Sequence, residues 1–141
     1  MSDTLCQQIM SKNLITVHEH EIVTTVVRLF DENGFHHLPV VNADSTLVGI
    51  ISRTDVERLK MSASIFKTKT QEEYNQTLFE TLLVKFVMTK DPVCLSPEAT
   101  IQEAYNILRE NKFHALPITE NGEPRGIITA LDLLDHFFNK D

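Results

Sequence analysis

"FHHLPVV" (residues 35–41) returns 78 residues later as "FHALPIT" (residues 113–119). The same displacement lays "MSKNLITV" (residues 10–17) on "MTKDPVCL" (residues 88–95). Two phrases repeated at one spacing indicate that the chain is an internal duplication.

The duplication covers nearly the whole chain. After one residue is lost in a turn, "GIISRTDV" (residues 49–56) falls on "GIITALDL" (residues 126–133), and the repeat runs from Met10 to Phe138. A period this long lies outside the range of solenoid arrays and indicates a duplicated supersecondary unit.

The hydrophobic pattern changes period in the same order in both copies. A short strand-like run, "LITV" or "PVCL", is followed by apolar residues at helical spacing. These are Ile22, Val23, Val26, Val27 and Phe30 in the first copy, and Ile101, Ala104, Tyr105 and Leu108 in the second. Two strand runs and another helix complete each copy. The prediction is an α/β (α+β) fold made of a duplicated β-α-β-β-α motif.

Turn and capping residues mark several boundaries. Gly34 is expected to take the left-handed position after the first helix, and Ser96-Pro97 to begin the corresponding helix of the second copy. Asn121-Gly122 predicts a hairpin turn. We assign residues 1–66 to the first motif and residues 87–141 to the second. Residues 67–86 form a linker with an extra helix, predicted from the helical spacing of Tyr74, Leu78 and Leu82.

Composition restricts the class of protein. The 141 residues carry a formal net charge of −7, which opposes nonspecific binding to nucleic acid or anionic lipid. No segment approaches the ~20 apolar residues of a membrane span, and no secretory signal begins the chain, so we expect a cytoplasmic protein. Cys6 and Cys94 offer no disulfide framework, and Cys94 is expected to be a buried structural residue.

The strongest local signal is the passage from the last strand to the last helix of each copy. Ser52 and Asp55, like Thr129 and Asp132, have the S/T-x-x-D spacing of a capping box. Helix capping is therefore one interpretation. The other is a ligand site, because a carboxylate at a strand-to-helix junction can accept both hydroxyls of a ribose, while nearby hydroxyls and helix amides meet a phosphate.

Histidines stand at equivalent positions before a strand of each copy. His36 and His114 could add a cation at the same end of a site, although such a histidine is more often just hydrogen-bonded and partly buried. A metal site at His36-His37 is disfavoured, because adjacent residues of an extended chain point to opposite faces. No phosphate-binding loop or nucleophile arrangement points to an enzyme.

Two copies of "LPV/LPI", a turn and "GII-S/T-x-x-D" resemble the cystathionine β-synthase (CBS) domain pair, or Bateman module. The resemblance spans almost the whole chain. The chain is most similar to free-standing bacterial members of the family, including the acetoin-utilisation type. It implies two copies packed through their sheets about a pseudo-twofold axis, with two clefts for AMP, ADP or ATP, or in some members S-adenosylmethionine or a cyclic dinucleotide. It also implies a regulatory module with no required cofactor, a homodimer, and an unidentified protein partner in some cases.

The resemblance assigns two composite ligand sites. The first uses Asp55 for the ribose, Ser52 and Thr54 beside it, the backbone of Val93 and Cys94 at the adenine, and His114 toward the phosphates. The second uses Asp132, Thr129, the backbone of Ile15 and Thr16, and His36 with His37.

The sequence departs from the strongest nucleotide binders of the family at two positions. Leu131 replaces the hydroxyl that Thr54 provides, and Ala115 stands where an arginine or histidine often holds phosphate. Arg53, Arg125 and Lys112 could supply positive charge, but the sequence does not place them. The alternative of a dimerisation module that binds no ligand therefore stays open. For a homodimer, we expect a contact through Leu133, Leu134, Phe137 and Phe138.

Overall fold

The computed structural model describes residues 4–64, 77–111 and 113–139. The helices and strands follow one another along these residues in the order α1 Cys6–Ile9, β1 Val17–His18, α2 Val23–Glu32, β2 His37–Val41, β3 Leu47–Ser52, α3 Arg53–Ser64, α4 (residues 77–81), a 3₁₀ turn Val84–Phe86, β4 Thr89–Lys90, α5 Ile101–Asn111, β5 Ala115–Glu120, β6 Glu123–Thr129 and α6 Ala130–Phe138. The predicted α/β class and the duplicated order of elements are confirmed.

The chain divides into two compact units that are not continuous in sequence. The first unit contains Thr16–Asp44 and Val48–Asp91, and the second contains Met1–Ile15, Ser45–Leu47 and Pro92–Asp141. Each unit therefore holds one copy of the motif together with a segment that precedes the other copy.

The first unit is built on a sheet of order β1-β2-β3-β4. Strand β1 runs parallel to β2, with Val17 opposite Val40, whereas β3 and β4 are antiparallel, with Gly49 opposite Lys90. Helix α2 buries its predicted face, of which Val26 and Phe30 join the core. That core consists of Val17, Val26, Phe30, Leu38, Val40, Ile51, Val56 and Val84.

The second unit is built on the hairpin of β5 and β6. Asn121 and Gly122 join the two strands with φ angles of 54° and 82°, which confirms the predicted turn. Leu95 forms a parallel bridge with Ile118. The core consists of Cys6, Ile101, Ala104, Leu108, Leu116, Ile118, Ile128 and Leu133.

The segments that precede the two copies are exchanged, and their contacts repeat. In the second unit, Leu5 forms a bridge with Thr100 and Ser11 with Ile127. In the first unit, Leu83 bridges Ile22 in the same way, and β4 pairs with β3. Since Leu83 and Thr89 follow Leu5 and Ser11 by 78 residues, the repeat extends further back than its sequence similarity suggested.

The predicted residues at the end of α2 and at the start of α5 are both wrong. Gly34 is not in the left-handed region, and α2 ends at Glu32, followed by the C-cap residue Asn33 with a φ of −133°. Helix α5 begins after Thr100, not at Ser96-Pro97. The Thr100 hydroxyl accepts from the Glu103 amide at 3.2 Å, and the Glu103 carboxylate accepts from the Thr100 amide at 3.0 Å. The T-x-x-E spacing at Thr100 is therefore the capping box of this helix.

Three further expectations need correction or fall outside the described residues. Cys94 is exposed, and the buried thiol is that of Cys6. Tyr105 is 46% exposed, so the buried face of α5 is narrower than predicted. Tyr74 lies outside the described residues, whereas Leu78 belongs to α4. In the part of the chain that the structure describes, no helix is long and apolar enough to cross a bilayer.

Candidate functional site

Ser52 and Asp55 join the end of β3 to the start of α3. The Ser52 amide donates to Asp55 Oδ2 at 2.8 Å, and the Asp55 amide donates to Ser52 Oγ at 3.0 Å. The capping interpretation is therefore confirmed for this copy. Asp55 Oδ1 lies 3.4 Å from Arg58 Nη1, a long contact to a side chain that is 71% exposed. Since a carboxylate can accept about four hydrogen bonds, Asp55 keeps acceptor capacity for a ligand.

Thr129 and Asp132 repeat this arrangement between β6 and α6. The Thr129 amide donates to Asp132 Oδ2 at 2.8 Å, and the Asp132 amide donates to Thr129 Oγ1 at 3.3 Å. The Thr129 hydroxyl also lies 3.1 Å from Asp132 Oδ2. The two carboxylates differ in their neighbours, because Asp135 stands at the position equivalent to Arg58. The electrostatic surroundings of Asp132 are therefore less favourable to a phosphate.

Sheet topology gathers three predicted ligand residues at one end of the first unit. Thr16 precedes β1, His36 precedes the parallel strand β2, and Ser52 ends β3, whose neighbour Arg53 donates its amide to the His36 carbonyl at 2.9 Å. Thr16 and His36 are exposed, and so is Thr54 in the first turn of α3. These side chains share one end of the sheet and are open to solvent or a ligand.

The second unit has the equivalent cluster. Cys94 precedes the bridging residue Leu95, His114 precedes β5, and Thr129 ends β6 opposite Ala115. Cys94 Sγ lies 3.5 Å from the Thr119 hydroxyl, and both Cys94 and His114 are exposed.

The remaining predicted residues divide between the units. Ile15 and Val93 are 38% and 43% exposed, and each comes directly before an exposed residue, Thr16 or Cys94. Leu131, which replaces a hydroxyl, is 64% exposed, whereas His37 is half-buried. Each composite set that the sequence predicted takes residues from both units. Within one unit the structure brings together the S/T-x-x-D pair and the histidine of the same copy.

The arginines that could have supplied charge are engaged elsewhere. The Arg53 guanidinium donates to backbone carbonyls at the end of α2, and Arg125 pairs with Glu120 and Glu123 beside the hairpin turn. Lys112 lies outside the described residues. Arg58 was not among the predicted site residues, although its position three residues after Asp55 on a helix was a usable signal.

The described residues also bear on metal binding. Within residues 4–64, 77–111 and 113–139, no group of three or more His, Cys, Asp or Glu side chains is arranged to hold a metal ion. The His18 and His20 rings lie 5.2 Å apart, and the His20 amide donates to His18 Nδ1. That bond engages Nδ1, one of the two ring nitrogens of His18.

Comparison with known proteins gives one consistent family. The model of the CBS domain matches residues 6–62 and 84–139. An inosine-5'-monophosphate dehydrogenase from Korarchaeum cryptofilum is 36% identical over 123 residues, which are 86% of this chain but only 22% of that enzyme. The likeness therefore covers a part of the enzyme and does not carry over its activity.

Two solved structures have the same fold. The acetoin utilisation protein AcuB from Vibrio cholerae superposes with a TM-score of 0.81 at 22% identity, covering 99% of this chain and 95% of that one. The protein CBSX2, which is from Arabidopsis thaliana, was solved in complex with AMP and superposes with a TM-score of 0.77 at 24% identity, covering 96% of this chain and 97% of that one. With the family model matched twice along its length, this chain belongs to the CBS domain family as a pair of CBS motifs.

Proposed function

We propose that this chain is a non-enzymatic, cytoplasmic regulatory module that binds an adenosine-containing ligand, AMP, ADP or ATP, between its two CBS motifs. The observation that carries the proposal is a repetition. In each copy a half-buried carboxylate, a hydroxyl and an exposed histidine are placed at the same end of the sheet by the strands that carry them. Capping alone explains the hydroxyl and the carboxylate, but not the histidine beside them in both copies.

The two sets of ligand residues follow the family pattern. The proposed first set is Ser52, Thr54, Asp55, Val93, Cys94 and His114, and the second is Ile15, Thr16, His36, His37, Thr129 and Asp132. The carboxylate of each set accepts ribose hydroxyls, the backbone before the first strand borders the adenine, and the histidine faces the phosphates.

We assign the higher affinity for AMP to the set that contains Asp55. It has the Thr54 hydroxyl where the other set presents Leu131, and Arg58 where the other has Asp135. An unsatisfied polar group of the ligand costs roughly 1 kcal/mol or more. The set that contains Asp132 has His37 where the set that contains Asp55 has Ala115, which favours the Asp132 set. However, an imidazole adds less affinity for a monophosphate than for a triphosphate.

Calorimetric titration with AMP and 2'-deoxy-AMP tests the ligand class. AMP is expected to bind and 2'-deoxy-AMP to bind at least roughly tenfold more weakly, because one hydrogen bond to a charged carboxylate is lost. S-adenosylmethionine and a cyclic dinucleotide are titrated in parallel. If one of these binds and AMP does not, that compound is the ligand instead of AMP. If none of them binds, the proposal is wrong.

A ligand-free interaction module is the second candidate, and one observation favours it. Leu134, Phe137 and Phe138 form an exposed apolar stripe on α6, at 52%, 52% and 81% exposure, whereas Leu133 of the predicted contact faces the core. We propose that this stripe is the contact of a homodimer, with or without nucleotide. An unidentified protein partner is the alternative occupant of the same surface.

A further inference from the structure

The Arg53 side chain fastens the start of α3 to the end of α2. One guanidinium nitrogen, Nη2, donates to the carbonyls of Phe30 and Asn33, the latter at 2.8 Å, and Nε donates to the Phe35 carbonyl at 3.2 Å. The guanidinium carbon also lies 5.3 Å from the centre of the Phe30 ring. Arg53 therefore supplies the C-terminal cap that Gly34 was expected to provide.

Arg53 contacts the loop before β2 at several points, the last of which is His36. The loop of residues 33–36 connects α2 to β2, and the Arg53 amide donates to the His36 carbonyl at 2.9 Å. Loop support from other residues includes the Asn33 side chain, which donates to the Leu29 carbonyl at 2.8 Å, and an edge contact between the rings of Phe30 and Phe35. Arg53 bonds to both ends of the loop, through its guanidinium at the Asn33 carbonyl and through its backbone amide at the His36 carbonyl.

The other copy offers a comparison. Ala130 stands at the position equivalent to Arg53, so a guanidinium cannot hold the segment before His114 in this way. The two histidines that the proposed function places near phosphates are therefore supported differently, although their sequence context is nearly the same.

We propose that Arg53 is a positioning residue for His36, holding it where it meets the phosphates of the ligand bound with Asp132. The inference rests on the proposed function for the role of His36. It links the copies, because Arg53 lies between Ser52 and Asp55 of one proposed set and holds a histidine of the other.

The first experiment uses the ligand-free protein. Hydrogen exchange of the residue 53 amide, which is bonded to the His36 carbonyl, is followed by NMR together with the His36 ring signals. Arg53→Ala is expected to speed this exchange and shift the His36 signals, and Arg53→Lys to do so less. Arg28→Ala removes an exposed arginine of α2 and serves as the matched control with no effect. Unchanged exchange and ring signals in Arg53→Ala would overturn the positioning role, whether or not AMP binds.

The second experiment is a pair of double-mutant cycles read by AMP titration. Arg53→Ala and His36→Ala are each expected to weaken AMP binding by roughly fivefold or more, about one hydrogen bond, and the double variant to be no weaker than His36→Ala. His114→Ala should instead weaken the AMP binding event of the Asp55 set, and the effect of Arg53→Ala on the event of the Asp132 set should be the same with and without it. If the losses of AMP affinity in Arg53→Ala and His36→Ala add in the double variant, the inference is wrong. It is also wrong if Arg53→Ala does not fold while Arg53→Lys folds and binds AMP with full affinity. If the wild-type chain binds no AMP, the proposed function fails, and the ligand-free exchange alone decides whether Arg53 positions His36.

Discussion

Met88 packs directly over Gly49, with its side chain where a β-carbon at Gly49 would lie. Met10 covers Gly126 in the same way. Each methionine lies in the exchanged segment at the start of one copy, and each glycine begins the "GII" run of the other copy. The contact between a methionine and a glycine therefore fixes the exchanged segment to the sheet of its unit in both places.

We expect Gly49→Ala to destabilise the fold by about 1–3 kcal/mol, because the added methyl group meets the Met88 side chain and the Thr89 carbonyl. Gly34→Ala is the matched control, since a β-carbon at Gly34 has no neighbour within 4 Å and the backbone is not in the left-handed region. Chemical denaturation measures both. Equal stability of the two variants would show that the contact at Gly49 relaxes without cost.

Fragments of similar length should differ sharply in folding. Residues 1–66 contain the first motif but lack Val84, a fully buried core residue of the first unit, and β4. Residues 16–91 contain every segment of that unit. Circular dichroism should show cooperative melting for residues 16–91 and none for monomeric residues 1–66. A stable, monomeric 1–66 fragment would contradict the exchanged arrangement.

The Cys6 thiol predicts a loss of stability at alkaline pH. Burial, with a smaller effect from Glu103, raises the pKa of Cys6 from the ordinary value of 9.0 to about 11. The folded state therefore holds the proton more tightly than the unfolded state, so this stabilisation is complete below pH 9 and is lost as pH rises through 11. Denaturation at pH 8, 9 and 10 should show a steeper decline for the wild type than for Cys6→Ala. Parallel declines would argue against a buried thiol at this position.

The exposed stripe on α6 predicts a change of assembly without a change of fold. Leu134→Glu should convert a dimer to a monomer in sedimentation at micromolar concentration, since a buried unpaired charge is costly at an apolar contact. Tyr105→Glu changes a 46% exposed residue of α5 and should leave the dimer intact. A wild-type chain that sediments as a monomer, with and without nucleotide, would remove the dimer proposal.

The parts of the fold that follow local patterns were predictable. The spacing of Val23, Val26 and Phe30 predicted α2 and its buried face, and Asn121-Gly122 predicted a turn whose φ angles only such residues adopt readily. The capping boxes at Asp55 and Asp132 were visible because hydroxyl and carboxylate are three residues apart.

The remaining features depend on hydrogen bonds to backbone groups. These groups are the same in nearly every residue, so the sequence does not indicate which of them are bonded. The Arg53 side chain binds three carbonyls, and its sequence position revealed none of them. The exchanged segments pair through main-chain bonds, such as the 2.7 Å bond from the Cys6 amide to the Ala99 carbonyl. The recurrence of Leu5 and Met10 as Leu83 and Met88 was the available signal, but it lacked an indication of which sheet each segment joins.

Calorimetric titration of AMP into wild type, Asp55→Asn and Asp132→Asn decides whether the two carboxylates bind a ligand as well as cap a helix. Asparagine keeps an oxygen that can accept from the Ser52 or Thr129 amide, so folding should change little while the charge is lost. We expect Asp55→Asn to weaken the tighter AMP binding event by roughly tenfold or more, and Asp132→Asn to weaken the other. Unchanged AMP binding in both variants, with intact folding, would show that these carboxylates are helix caps alone.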